Sequence, residues 1–562
     1  MLLKIAKLSK LGIIIEAILV GILSGIIVIL FNWCISNLFS FNQSFLSQIP
    51  LPAKIFIFPI ITCLAGLIVG ILVFKVAPET KGSGIPFVKL ALMRLGKKIR
   101  IRSMFIKFAA GVIGIGSGFS LGREGPSVQL GAGCGAVISR LFKKNGTKQH
   151  NLITAGAASA IGATFNAPVA GTIFAIEELT RKFSVSTLFT VLIATVSAVT
   201  VSRHFAGENP SFFIPELQNL PKISLESLVV FIVLGIIVGV FGVLFAKTIF
   251  LNQKVFDKIK VPNYIKPAIA GLVIGIVGVF LPYVLGSGNI FISQLFQYKF
   301  TLSLIAIIFA VKFLVTPLCF SSGAAGGIFF PVLMLGSFLG YIVGSISNVI
   351  GIEINLVTIS IVGMGAFLAA VARTPITAIV MVFELTGDYH HILPVMLSIA
   401  VADLVAQLFG HEPIYSTLIL KQSQNTKEKE TLCELKVVDA MDKNVVNVTL
   451  KTKISEIPNL MKQTKYNVLP ILNDNNVVAG SISKEEIDDY IFSNKNIDDS
   501  IENIMNPEPV TVNQKENLYK ALFVLHTNEI LDVIVVDDTN KLAGILCRKQ
   551  IVFEDRFSDI IV

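Results

Sequence analysis

Charge is scarce in this sequence. Of 562 residues only 15% are Asp, Glu, Lys or Arg, while 53% are hydrophobic. A soluble domain carries roughly a quarter charged residues, so the deficit excludes a water-soluble globular protein of this length. Cysteine is sparse too. Cys34, Cys63, Cys134, Cys319, Cys433 and Cys547 are scattered with no CxxC, which leaves neither a disulfide framework nor a zinc site to expect. The six His residues are dispersed, and the adjacent His390 and His391 cannot share one helix face. Gly (43) and Phe (41) are abundant instead. Glycine in apolar segments lets helix backbones approach closely, as bundles in lipid require.

The few charges are unevenly spread. Residues 421–562 hold 17 basic and 23 acidic side chains, leaving 30 basic and 14 acidic in 1–420. A basic excess around apolar spans marks cytoplasmic loops, and it also suits an anionic substrate. The acidic tail argues against nucleic-acid binding. Lys4, Lys7 and Lys10 precede the apolar run 11–31. That run is longer than a signal-peptide core, so it reads as a retained first span with its start in the cytoplasm; Glu16 inside it is a blemish. Further apolar runs lie at about 54–74, 104–121, 152–176, 185–201, 225–250, 264–285, 301–318, 328–349, 355–372 and 392–409. Several are short or broken by Gly and Pro. Broken backbone in a membrane is tolerated beside a polar cavity, where transporters bind substrate.

An internal repeat organises these runs. Gly82-Ser83-Gly84-Ile85 returns as Gly286-Ser287-Gly288-Asn289, 204 residues on. GREGP at 122–126 is answered by GGIFFP at 326–331, again 204 on. The stretch from Gly156 through Pro168 to Glu178-Leu179 is answered by Gly363 through Pro375 to Glu384-Leu385 at offsets of 206–207. Residues 1–420 therefore read as two related halves, about 50–200 and 225–410, expected to be inverted and to place a site between them. After a polar linker, 421–434, two similar units follow at 435–492 and 500–560. Each has the pattern helix–strand–helix–strand–strand–helix, which resembles a pair of CBS modules. The predicted fold class is thus an all-α polytopic membrane domain of two inverted repeats, plus a cytoplasmic α+β CBS pair.

The Gly-rich turns carry the chemistry. In GREGP, Glu124 is a carboxylate at membrane depth beside Arg123, and Gly122, Gly125 and Pro126 mark a helix start. Free N–H groups at such a start bind anions without a cationic side chain. Glu124 is then a tethered anion able to occupy that site and to leave when protonated; the plainer reading is an Arg123–Glu124 ion pair. GSGIP at 82–86 and GGIFFP at 326–331 are the same device, or ordinary capped helix starts. Dipoles rather than fixed cations would let an anion bind and still leave. In FAIEEL at 174–179 two acids follow an apolar helix. They read as a buried proton acceptor or as a solvated helix end facing Arg181 and Lys182. GIGSG at 114–118 lacks the Lys-Ser/Thr of a phosphate loop and reads as helix packing.

GSGIP, GREGP and G-x-F-x-P, in this order and spacing, resemble the CLC family of chloride channels and chloride–proton exchangers, over residues 10–420; a trailing CBS pair also occurs in that family. The resemblance implies a homodimer with one pore per subunit, in a bacterial plasma membrane, with the N-terminus and CBS pair cytoplasmic. It implies a central anion site made by the hydroxyls of Ser83 and Tyr415, with Gly84 and Ile85, and by the amides of Ile328 and Phe329. It implies an outer site at the amides around Arg123, Glu124 and Gly125, with Glu124 as the gate and Glu178 as the inner proton acceptor of proton-coupled members. Phe330 departs from the small residue usual there. Ser83 matches members that favour chloride, where plant nitrate-type members have Pro. The expected function is chloride/proton antiport modulated by the CBS pair, with a passive chloride channel as alternative and a CBS-regulated cation transporter as a distant one. A membrane enzyme finds no nucleophile–base pair or metal set. For adenine nucleotide the first module offers Ser483 and Glu486, whereas Cys547 and Gln550 in the second have lost the hydroxyl and the carboxylate; no other cofactor is expected.

Overall fold

The computed structural model describes residues 2–92, 99–144, 146–181, 184–210, 212, 225–298, 300–387, 391–422, 434–484, 486, 487, 490, 499–528 and 530–547. The expected linker core at 423–433, Lys182, Gln550 and the ends of both predicted modules lie outside the described residues. Two compact units result, Met1–Ile419 and Leu420–Val562.

The first unit is helical. Its first half comprises α1 (Leu2–Ser47), α2 (Leu51–Ile71), α3 (Ile85–Leu92), α4 (Ile101–Gly116), α5 (Glu124–Leu141), α6 (Gly146–Phe165), α7 (Pro168–Phe174) and α8 (Val185–Ala206). The second comprises α9 (Leu225–Lys258), α10 (Lys266–Phe280), α11 (Asn289–Gln297), α12 (Leu302–Ser321), α13 (Phe329–Val349), α14 (Leu356–Ala372), α15 (Pro375–Thr386) and α16 (Ile392–Leu408). The order of long and short helices is the same in both, and α17 (Ile414–Gln422) follows. Among the described residues, seven helices are long and apolar enough to cross a membrane. The eight residues of α3 reach about 12 Å at 1.5 Å each, far short of a hydrocarbon core about 30 Å thick. Gly82 and Gly84 stop the chain before α3 with φ of +67° and +97°, and Gly286 and Gly288 do the same before α11.

The inversion can be read from α2 and α10, which are equivalent in the repeat. A Cβ at Gly66 would strike Pro267, at Gly70 Tyr264, at Gly271 Thr62 and at Gly275 Pro59. Position rises along one helix as it falls along the other, so the two are antiparallel. Both are long enough to span, so the two halves cross the membrane in opposite senses. The apparent blemish in α1 is also resolved: Glu16 is buried and pairs with Lys144 Nζ at 2.9 Å.

The second unit is built twice over. β1 (Val448–Thr449) pairs parallel with β2 (Val468–Leu472), which pairs antiparallel with β3 (Val478–Ser483). β4 (Thr511–Asn513), β5 (Asp532–Val536) and β6 (Leu542–Cys547) repeat the arrangement, and each antiparallel pair carries one register shift at its far end. Leu472 and Val478 of one sheet pack on Ile534 and Val536 of the other. The helices α18 (Val437–Ala440), α19 (Ile457–Gln463) and α20 (Leu518–Thr527) complete the described part.

Candidate functional site

Three Gly-rich turns meet inside the helical unit. The N–H of Gly326 donates to the carbonyl of Gly82 at 3.2 Å, and Gly122 and Gly327 exchange two N–H···O bonds of 2.7 Å each. Counted from the helix starts at Glu124 and Phe329, the offset here is 205 rather than 204, which makes Gly122 and Gly327 equivalent and passes the pseudo-twofold relation between them. Only glycine fits at 125, because a Cβ there would collide with the carbonyl and Oγ of Ser83.

This convergence brings Glu124 onto the first turn of α13. Its Oε1 accepts from the N–H of Phe329 at 2.6 Å and of Phe330 at 3.2 Å, with the side chain fully buried. A carboxylate therefore already occupies a helix-N-terminal anion site. The amides that hold it are those of Phe329 and Phe330; Ile328, whose amide is expected with that of Phe329 at the central anion site, caps the helix. Glu124 Oε2 and the buried Ser83 Oγ have no hydrogen-bond partner among the described residues. Tyr415 is buried too, at the start of α17. Arg123 does not form the ion pair with Glu124 that was the plainer alternative. Its guanidinium lies 5.3 Å from the Phe330 ring, because the Glu124 carboxylate has turned to the amides of the other half. The Phe330 ring stands among Phe165 and Phe212, with centroids at 4.9 and 6.3 Å. With Arg123 it lines a cavity of about 430 Å³.

Two buried lysines stand directly behind the turns, bonded to their carbonyls. Lys107 Nζ donates to the carbonyls of Thr80 and Gly82, at 2.9 and 2.5 Å. Lys312 Nζ donates to those of Val284 and Gly286, both at 2.9 Å. Both lysines are fully buried. Ile106-Lys107-Phe108 and Val311-Lys312-Phe313 recur 205 apart, so the repeat contained this signal: an ionisable residue at membrane depth in both halves is functional by default.

Glu178 is buried as well, and the solvated helix end is excluded for it. Its Oε1 receives Lys89 Nζ at 3.0 Å, and Arg181 stands 3.7 Å from Oε2. Glu177 points elsewhere: it accepts from the N–H groups of Ile376 and Thr377 at the start of α15, at 3.0 and 2.6 Å. Glu384 returns the favour, accepting from Val169 and Ala170 at the start of α7 at 3.0 and 2.6 Å. The contacts make Glu177, not Glu178, the counterpart of Glu384. The reason is a π-helical turn, Ala175–Thr180, where the second half stays α-helical. A π-turn absorbs one extra residue, which is why the repeat offset drops from 207 to 206 between Pro168 and Leu179.

In the second unit Glu486 Oε2 accepts from the N–H and Oγ of Ser483, at 2.6 and 2.8 Å. The two expected nucleotide contacts thus engage each other at an exposed position.

A family model described as voltage gated chloride channel matches residues 65–407, and a CBS domain model matches 437–493 and 501–555. The H(+)/Cl(-) exchange transporter ClcA of Vibrio parahaemolyticus is 36% identical over 380 residues, 66% of this chain and 81% of that one. ClcA of Vibrio cholerae is 36% identical over 425 residues, 73% of this chain and 90% of that one. Among solved structures, a slow cyanobacterial Cl-/H+ antiporter matches with TM-score 0.68 and 30% identity, over 74% of this chain and 99% of that one. A eukaryotic CLC transporter has the same TM-score at 20% identity over 96% of this chain and 98% of that one, a likeness of fold that extends over both units.

Proposed function

The chain belongs to the voltage gated chloride channel family, and from that premise we propose that it exchanges chloride for protons across a membrane. The observation that carries the reading is the Glu124 carboxylate seated on the amides of Phe329 and Phe330. A site that holds a carboxylate there accepts chloride once the carboxylate leaves. Protonation of Glu124 removes the charge the amides hold, and the side chain swings out. Chloride then reaches the central site, between the amides of Ile328 and Phe329 and the hydroxyls of Ser83 and Tyr415, with the amides around Arg123 and Gly125 as the outer site. Lys107, bonded to the carbonyls of Thr80 and Gly82, holds the turn that carries Ser83.

Glu178 is the inner proton acceptor. It is buried and adjoins α17 through Lys89 and Ser416. The proton and chloride routes therefore share Glu124 and diverge inward. A cation transporter is disfavoured, because the convergent groups at the turns are N–H donors. The protein is a transporter rather than an enzyme. Lys4, Lys7 and Lys10 before the first apolar run support a cytoplasmic N-terminus; a cytoplasmic CBS pair, a bacterial plasma membrane and the homodimer with one pore per subunit rest on the family alone. Adenine nucleotide binds the CBS pair weakly at best, since Glu486 is already engaged by Ser483 and Cys547 replaces the second hydroxyl. Calorimetry of the full-length protein with ATP should give a Kd no tighter than about 1 mM, a ΔG of about −4 kcal/mol; micromolar binding would contradict this.

Liposomes test the assignment. The protein should release trapped chloride to a chloride electrode, and Ser83→Pro should shift its preference toward nitrate by roughly tenfold, the effect of about 1.4 kcal/mol. The substitution removes a hydroxyl donor and recasts the turn before α3. An unchanged anion ranking would reduce Ser83 to a helix cap.

A further inference from the structure

Lys89 links Glu178 to α17 in the scheme above but has no function there, yet it is among the most deeply enclosed ionisable side chains of the described residues. It lies on α3, six residues after Ser83, with 1% of its side chain exposed. Its ammonium makes two side-chain contacts: 3.0 Å to Glu178 Oε1 and 3.1 Å to Ser416 Oγ, the residue after Tyr415. One cation thus joins the segment carrying the proton acceptor to the helix carrying a hydroxyl of the anion site.

We propose that Lys89 is the counter-ion that keeps the inner proton acceptor charged between turnovers, and so sets the pH range over which protons are coupled to chloride. This rests on the reading of Glu178 as that acceptor. A carboxylate with no access to water is stabilised in its charged form by a cation in contact, and screening by salt is weak in such a place. The other groups facing Glu178 do not replace Lys89. Arg181 is further away and 29% exposed. Tyr415 on α17 is neutral as a phenol. Glu177 is committed to the α15 amides. The helices α6, from Leu152 to Phe165, and α7 contain no titratable residue. When a proton from the cytoplasm binds Glu178, the carboxylate becomes a neutral acid and Lys89 keeps its charge and its Ser416 contact. When the proton moves on toward Glu124, Lys89 restores the carboxylate to its original place. Lys89 is a positioning residue in this scheme: it handles no ion itself.

The test is the ratio of proton to chloride flux in liposomes, from about pH 5 to about pH 9, for the full-length wild type, Lys89→Met and Lys89→Arg. Without the ammonium the buried carboxylate has lost its contact cation, so at pH 7 the ratio in Lys89→Met should fall by at least about tenfold, the effect of one pH unit. It should recover at higher pH, and Lys89→Arg should follow the wild-type profile. Infrared spectra supply a readout independent of turnover. A protonated-acid band that vanishes in Glu178→Gln should be present at neutral pH in Lys89→Met and absent in the wild type. Coincident pH profiles, or Lys89→Arg as impaired as Lys89→Met, would overturn the proposal. Should Lys89→Met not fold, a protonated Glu178 band in the wild type at neutral pH would overturn it equally. Failure of the underlying reading looks different: Glu178→Gln would still move protons, whatever Lys89 does.

Discussion

Glu124→Gln should conduct chloride and move no protons. The amide has the size and shape of the protonated acid, so the variant is fixed in the state that leaves the anion site. Bonds from the N–H groups of Phe329 and Phe330 to a carboxylate are worth about 1.5–3 kcal/mol, against about 1 kcal/mol for neutral partners. Replacing the charge thus weakens the gate's hold by about 1 kcal/mol, or about fivefold. Chloride competes for the amides against a poorer rival, and its flux persists at all pH values where the protein is stable. No titratable group is left where the two routes join, so proton flux should fall to the level of protein-free liposomes. A pH electrode and a chloride electrode on one liposome suspension check both halves of the claim. Sustained proton movement in Glu124→Gln would remove Glu124 from the mechanism.

Glu178→Gln should also abolish proton coupling, but by a different route and with a cost. Chloride does not have to pass Glu178, so it should still cross down its own gradient. Were Glu178 isolated, the isosteric amide would be nearly neutral for stability. Its ion pair with Lys89 changes that expectation. Removing one partner of a buried pair leaves an uncompensated charge and costs about 3–5 kcal/mol. The variant should therefore unfold at a lower temperature than the wild type. Lys89→Met combined with Glu178→Gln, which leaves no orphan charge, should regain most of the loss while still moving no protons. Thermal unfolding in detergent and paired flux assays separate the two effects. If Glu178→Gln pumps protons against a gradient, Glu177 becomes the candidate, although its carboxylate is bound to the amides of Ile376 and Thr377.

Much of this was legible in the residues because it is written twice. The repeated GSG turn, the paired helix starts at Gly122–Pro126 and Gly326–Pro331, and the shared order of apolar runs identified both halves. Inversion was not legible in hydropathy, since α3, α7 and α11 are too short to span and blur any count. It emerged from the glycines of α2 and α10, whose contacts run in opposite directions. The site was legible as a set of turns but not as a set of bonds. Which amides would hold Glu124 depended on how the halves dock, and docking seats its carboxylate on the N–H groups of Phe329 and Phe330. Lys107 and Lys312 were overlooked although the repeat marks both, because a lysine in an apolar run reads as a span end until its carbonyl partners are seen. The slip that paired Glu178 with Glu384 had a trace in the sequence. The offset changes by one residue between Pro168 and Leu179, and the π-turn at Ala175–Thr180 accounts for it. Glu178 is thus close to an inserted residue, without a twin in the second half, in the kind of turn that is frequent at functional sites.

The most direct test of chloride/proton exchange is the voltage at which the reconstituted wild-type protein carries no net flux, measured at fixed chloride while the pH gradient is varied. Exchange couples the two ions, so this voltage should move steadily with the pH gradient, and an imposed chloride gradient should drive protons uphill. A zero-flux voltage that follows the chloride gradient alone, indifferent to pH on either side, would contradict the account and make the protein a passive chloride channel.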